Sequence, residues 1–127
     1  MAALALTLSA CSGGQAAPPT PAPPKPGVPT PDPALVDEGK QIVAQKGCGG
    51  CHTIPGVAGA TGAVGPGLAG VASRPTIAAG AVQNNGPDDL KRWVQDPPGV
   101  KPGTAMPNLN LTDAEATRVA AFLETLR

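Results

Sequence analysis

Aromatic side chains are almost missing from this chain: 127 residues hold one Trp (Trp93), one Phe (Phe122) and no Tyr. Large aromatic groups normally dominate the apolar area of a core, and a small domain without them has little to bury. A chain of this kind must be marginal or draw apolar area from a bound, largely apolar body.

The segment Cys48-Gly49-Gly50-Cys51-His52 names such a body. C-x-x-C-H is the attachment pattern for c-type haem. Each thiol adds to one vinyl group to form a thioether, and two intervening residues span the two vinyls. The His that follows directly is then placed beneath the iron. Gly49 and Gly50 are expected to let the backbone lie close to the ring. Competing readings are weaker. Structural zinc takes four Cys or His ligands, but the remaining Cys is Cys11, across a long arm, and His52 is the only His. A thioredoxin-like redox pair lacks its strand–helix–strand frame. A plain disulfide leaves the missing core unexplained.

The second axial ligand follows by elimination. With one His there is no bis-His option, and Met1 lies in the leading segment, which leaves Met106. It sits in Lys101-Pro-Gly-Thr-Ala-Met106-Pro107, whose prolines restrict the backbone. A His/Met pair raises the haem potential, which suits an electron carrier. Lys101 is an alternative ligand, expected to be solvated. The expected metal ligands are therefore His52 and Met106, on a single haem c.

Periodicity places these residues among helices. Asp32-Pro33 is an N-cap followed by proline in the first turn. Leu35, Gly39, Ile42 and Val43 form one face after it, and Gly47 closes that helix. Residues 53–72 are glycine-rich and aperiodic, so a long loop is expected. A middle helix is predicted over Pro87–Gln95, with Leu90, Trp93 and Val94 inward, stopped by Asp96-Pro97-Pro98. Thr112 to Glu115 is a capping box opening a last helix. Its inward stripe is Ala116, Val119, Ala120 and Leu123, flanked by Phe122 and Leu126. No strand pattern stands out, so the expectation is an all-α domain with long Gly/Pro-rich loops over residues 34–127.

The N-terminus carries an apolar run ending in Leu8-Ser9-Ala10-Cys11. It resembles the lipobox of bacterial lipoproteins, in which a signal (residues 1–10) is removed and the Cys is acylated. The resemblance implies lipidation at Cys11 and anchoring to a membrane facing the periplasm or the outer side. No Lys or Arg precedes the apolar run, which points to a start upstream. Residues 11–33 then read as a proline-rich tether, extended at roughly 3 Å per residue. The 9 basic and 9 acidic residues cancel, so no electrostatic argument favours nucleic acid.

Taken together, C-x-x-C-H, a late Met loop and first and last helices with inward faces resemble class I cytochrome c over residues 34–127. Gly65-Pro66-Gly67-Leu68 is similar to a stretch of that family in which the Pro carbonyl accepts a hydrogen bond from the ligand His. The resemblance therefore implies that Pro66 orients His52. More specifically, Val71–Gly80, Leu90-Lys-Arg-Trp93-Val-Gln-Asp96-Pro97 and Lys101–Pro107 resemble the cytochrome c domain of caa3-type oxidase subunit II. That likeness implies that Arg74 and Trp93 approach the haem propionates. The copper-binding domain and membrane helices of a complete subunit II are not in these residues, so a free-standing relative or a piece of a longer chain is expected. The helix-crossing aromatics of the family are reduced here to Ile42 and Phe122.

The implied function is single-electron transfer with no small-molecule substrate. The partner would be a redox protein such as a haem-copper oxidase, engaged as a free carrier or within a respiratory complex. A haem enzyme or gas sensor with an open sixth position is disfavoured by Met106. The run Ile54-Pro-Gly-Val57-Ala58 beside the motif is a candidate for a docking patch or for ordinary loop surface.

Overall fold

The computed structural model describes residues 20–127. Cys11, the lipobox and the first part of the proline-rich arm lie outside the described residues. Helix α1 runs Pro33–Gln45. The Asp32 carboxylate accepts the Ala34 N–H at 2.8 Å, satisfying one of the orphan donors of a helix start. Gly47, with φ 74°, turns the chain out of the helix in a conformation that favours glycine.

Helix α4, Asp113–Leu123, closes the fold. Its capping box is complete: Glu115 N–H donates to Thr112 Oγ1 at 3.2 Å, and Thr112 N–H donates to Glu115 Oε2 at 2.8 Å. The backbone and side-chain bonds at Thr112, with Lys46 at 3.3 Å, hold the Glu115 carboxyl below the usual range. A lowered folded pKa adds stability above the unfolded value, about pH 4.3, and that stability is lost as pH falls through the folded pKa. Glu115→Gln is therefore expected to destabilise the protein more at pH 7 than at pH 3. Equal denaturant-midpoint shifts at both pH values would contradict this.

Helices α1 and α4 cross at Gly39, which is buried. A Cβ built there would lie 1.9 Å from the Arg118 carbonyl oxygen and 3.0 Å from Phe122 Cβ. Glycine is what permits this approach. Phe122 is 4% exposed beneath the crossing, and Arg118 pairs with Glu38 at its rim. Helix α2, Pro87–Gln95, packs on α4 with Leu90 and Val94 buried. Asp96-Pro97-Pro98 does end α2, and it also starts a further turn, α3, Pro97–Val100. The Asp96 carboxylate accepts the Gly99 N–H at 3.3 Å, so one residue both breaks and caps. Among the described residues no helix is long and apolar enough to cross a membrane.

A small hairpin, β1 (Thr76–Ile77) and β2 (Val82–Gln83), was not expected. The strands are antiparallel, with Thr76 opposite Gln83 and Ile77 opposite Val82. Two-residue strands are too short to show an alternating pattern. Ile77 and Val82 are buried and anchor the hairpin in the core. Its turn places Ala78 and Ala79 at φ 55° and 54°, which L-residues other than Asn and Asp seldom adopt. Lys101 Nζ donates to the Ala78 carbonyl at 3.0 Å and braces this turn. The lysine expected to be solvated is thus a strut.

Candidate functional site

Cys48–Gly50 forms a single 3₁₀ turn. Cys51 N–H and His52 N–H both donate to the Cys48 carbonyl, at 3.2 and 3.0 Å. The five motif residues are therefore wound into one compact loop. The following segment folds back over it. Gly62 N–H donates to the Gly49 carbonyl at 3.0 Å and Gly65 N–H to the Cys51 carbonyl at 2.7 Å. Gly49 is required for this return, because a Cβ there would lie 2.7 Å from Ala60 Cβ; a Cβ on Gly50 would meet no protein atom. The pressure on Gly49 thus comes from the loop above it.

His52 is oriented by that same loop. Its Nδ1–H donates to the Pro66 carbonyl at 2.7 Å, which leaves Nε2 as the ring atom free to ligate a metal. Gly65 lies against the imidazole: a Cβ there would be 2.3 Å from Cε1 and 2.7 Å from Nδ1. Cys48 and Cys51 form no disulfide with each other. Burial pushes the Cys48 thiol up from its ordinary pKa, the opposite of the lowered thiol of a redox pair. Among the described residues no three His, Cys, Asp or Glu side chains form a metal-ligand cluster.

These groups border one cavity of about 610 Å³, within the usual range of roughly 300–1,000 Å³ for a ligand pocket. Cys48, Cys51, His52 and Met106 all line it. So do buried core residues from three helices: Val43 of α1, Leu90 and Val94 of α2, and Val119 and Leu123 of α4. The cavity is thus the centre of the core. Its mouth opens to solvent. Two thiols, a metal-ready imidazole and a thioether on apolar walls fit a covalently bound haem.

Sequence comparison decides the family. The cytochrome c family pattern matches residues 36–127. The chain belongs to the cytochrome c family. The cytochrome is 31% identical over 99 residues to cytochrome c oxidase subunit 2 of Alkalihalophilus pseudofirmus, covering 76% of this chain and 27% of that protein. It is 28% identical over 102 residues to cytochrome c oxidase subunit 2 of Bacillus subtilis, covering 77% and 28%. It thus spans a little over a quarter of either relative's length. In structure it resembles the c-type cytochrome SorU from Sinorhizobium meliloti, with a TM-score of 0.52 over 75% of this chain and 93% of that one, at 23% identity. The fold is that of a small class I cytochrome. The cytochrome carries covalently bound haem c.

Other expected site residues also meet the cavity. Arg74 and Trp93 line it, as do Pro66 and Lys101. Arg74 Nη2 donates to the Gly67 and Ala69 carbonyls at 2.6 and 2.9 Å, so in the polypeptide its guanidinium fixes the loop next to Pro66. Met106 is half-buried against the core, and its N–H donates to Thr104 Oγ1 at 3.3 Å.

The docking-patch expectation needs correction. Ile54 is 2% exposed and belongs to the core, and Val57 is half-buried against it. An apolar residue beside a motif carries no sign of which way it faces. Among the described residues, the large apolar side chain left in solvent is Val64, 78% exposed and on the cavity's border. Asn84 also escaped sequence reasoning. It is 2% exposed, and its Nδ2 donates to the Val71 and Arg74 carbonyls, each at 2.9 Å. Asn84-Asn85-Gly86 reads only as a turn, and nothing local marks the first Asn as a clamp.

Proposed function

We propose that residues 34–127 hold one haem c bonded through Cys48 and Cys51, with His52 and Met106 as axial ligands. The observation that carries this reading is that both thiols, the imidazole and the one described thioether border a single apolar cavity. Haem supplies one-electron ferric/ferrous chemistry when bound. The chain's residues orient the His52 ring through Pro66, exclude water with the α1, α2 and α4 core residues, and present Arg74 and Trp93 toward the propionates. A guanidinium pairs well with carboxylate.

The electron partner in this reading is a membrane respiratory oxidase, supported by the two oxidase subunit 2 relatives. Val64 and the exposed Cys51 edge form the contact, small as electron-transfer interfaces usually are. Cys11 would be acylated, with the chain exported and anchored on the periplasmic or outer face. The tether over residues 11–33 would link anchor to domain. The test is reoxidation of reduced holoprotein by oxidase-containing membranes. Rapid oxygen-dependent reoxidation supports the reading; none, with reoxidation by other redox proteins intact, removes the oxidase as partner.

Gly65 offers a test of His52 that does not touch a ligand. Gly65→Ala places a methyl against the imidazole, so low-spin haem content is expected to fall severalfold while the Pro66 bond is strained. Wild-type spectra and yield from this variant would contradict the role given to His52.

A further inference from the structure

The proline-rich arm is seated on the domain by one lysine. Lys25 Nζ donates to the Arg74 carbonyl at 3.1 Å and to the Asn84 carbonyl. The arm turns there, with Val28 N–H donating to the Lys25 carbonyl at 3.1 Å and Gly27 at φ 81°. Val28 then packs on Gly86, whose Cβ would be 3.1 Å from Val28 Cγ2. Below this seat lies Glu124, fully buried and paired with Arg127 at 3.2 Å. Burial holds the Glu124 carboxyl above its ordinary range, with Arg127 and Lys25 opposing. Desolvation likewise lowers the Lys25 ammonium, with Glu124 opposing. A lysine in a flexible spacer would have no reason to accept that desolvation.

What Lys25 grips leads to the cavity. The Arg74 carbonyl is also held by Asn84, and the Arg74 guanidinium holds the Gly67 and Ala69 carbonyls. Gly67 follows Pro66, whose carbonyl takes the His52 Nδ1–H. The hydrogen-bonded path therefore runs from the arm through Arg74 to the imidazole.

We propose that Lys25 is a positioning residue for the haem site: by clamping the arm to Arg74 it fixes the Arg74 guanidinium and the 66–69 loop, and through them the setting of His52. The proposal rests on the reading of His52 as an axial ligand and of Arg74 as a haem-side cation. The clamp also fixes the described end of the arm to the domain at Lys25, ahead of α1. A fixed cation favours the reduced haem, because reduction adds negative charge. Releasing Arg74 should therefore lower the potential.

The test uses the holoprotein and its Lys25→Met, Lys25→Arg, Arg74→Gln and Lys25→Met/Arg74→Gln variants. Midpoint potential and amide exchange of Val28 and Leu68 are measured. Lys25→Met is expected to speed exchange at both amides and to lower the ferrous/ferric equilibrium constant at least threefold, about 28 mV at 59 mV per tenfold. Lys25→Arg should restore both. In the Arg74→Gln background, Lys25→Met should no longer move the potential. The same shift in both backgrounds would show only the loss of Lys25's own charge and would overturn the proposal. Unchanged exchange in Lys25→Met would overturn it too. Unaltered protein lacking covalent haem would instead overturn the assignment of the haem site, while the exchange arm would still support or sink the clamp.

Discussion

Replacing Gly39 by alanine is expected to destabilise the protein by about 3 kcal/mol, at the upper end of overpacking costs. The cause is the closeness of α1 and α4. The new Cβ would sit 1.9 Å from the Arg118 carbonyl oxygen, a backbone atom that cannot rotate away, so the two helices must separate. Alanine's better helix propensity returns only about 1 kcal/mol. For a domain of this size the melting temperature should fall by about 12–24 °C. Separation of α1 from α4 also moves Val43, Val119 and Leu123, which line the cavity, so haem retention should fall with stability. An unchanged denaturation midpoint would mean that the crossing is not as close as described.

Substituting Met106 by alanine has the second large effect. The half-buried thioether is replaced by a methyl too short to reach a metal, and its Thr104-anchored loop should remain. The low-spin spectrum is expected to give way to one with an open sixth position, with rapid carbon monoxide binding to the reduced form. The potential should drop by on the order of 0.1 V or more, within the roughly 0.8 V that axial ligands span. A wild-type spectrum with no carbon monoxide binding would reassign the ligand. Lys101 is the first group to test then, although its ammonium is engaged by Ala78.

Local chemistry explains which parts of the fold were readable in advance. Asp32-Pro33 and Thr112–Glu115 act within four residues of themselves, and both caps stand where their patterns predict. Cys48, Cys51 and His52 are adjacent in the chain, so their grouping needed no tertiary knowledge. Met106 joined them by counting ligands, and the cavity that all four border accounts for a domain so poor in aromatics. The hairpin escaped because its strands carry two residues each, and its left-handed alanines break local rules under tertiary restraint. Ile54 turned inward and Val64 outward for reasons that lie in how residues 53–68 fold back over the motif. Nothing local marks Lys25, because its partners, the Arg74 and Asn84 carbonyls, are backbone atoms 49 and 59 residues away.

The central claim is that one haem is bonded through Cys48 and Cys51 and completes the core. The direct measurement is intact mass under denaturing conditions, with a reduced optical spectrum, for protein made in a host with haem-attachment machinery. The account predicts a mass increment of one haem that survives denaturation, a c-type spectrum, and loss of both in a Cys48→Ala/Cys51→Ala variant. A folded wild-type chain of unmodified mass at the motif would contradict it.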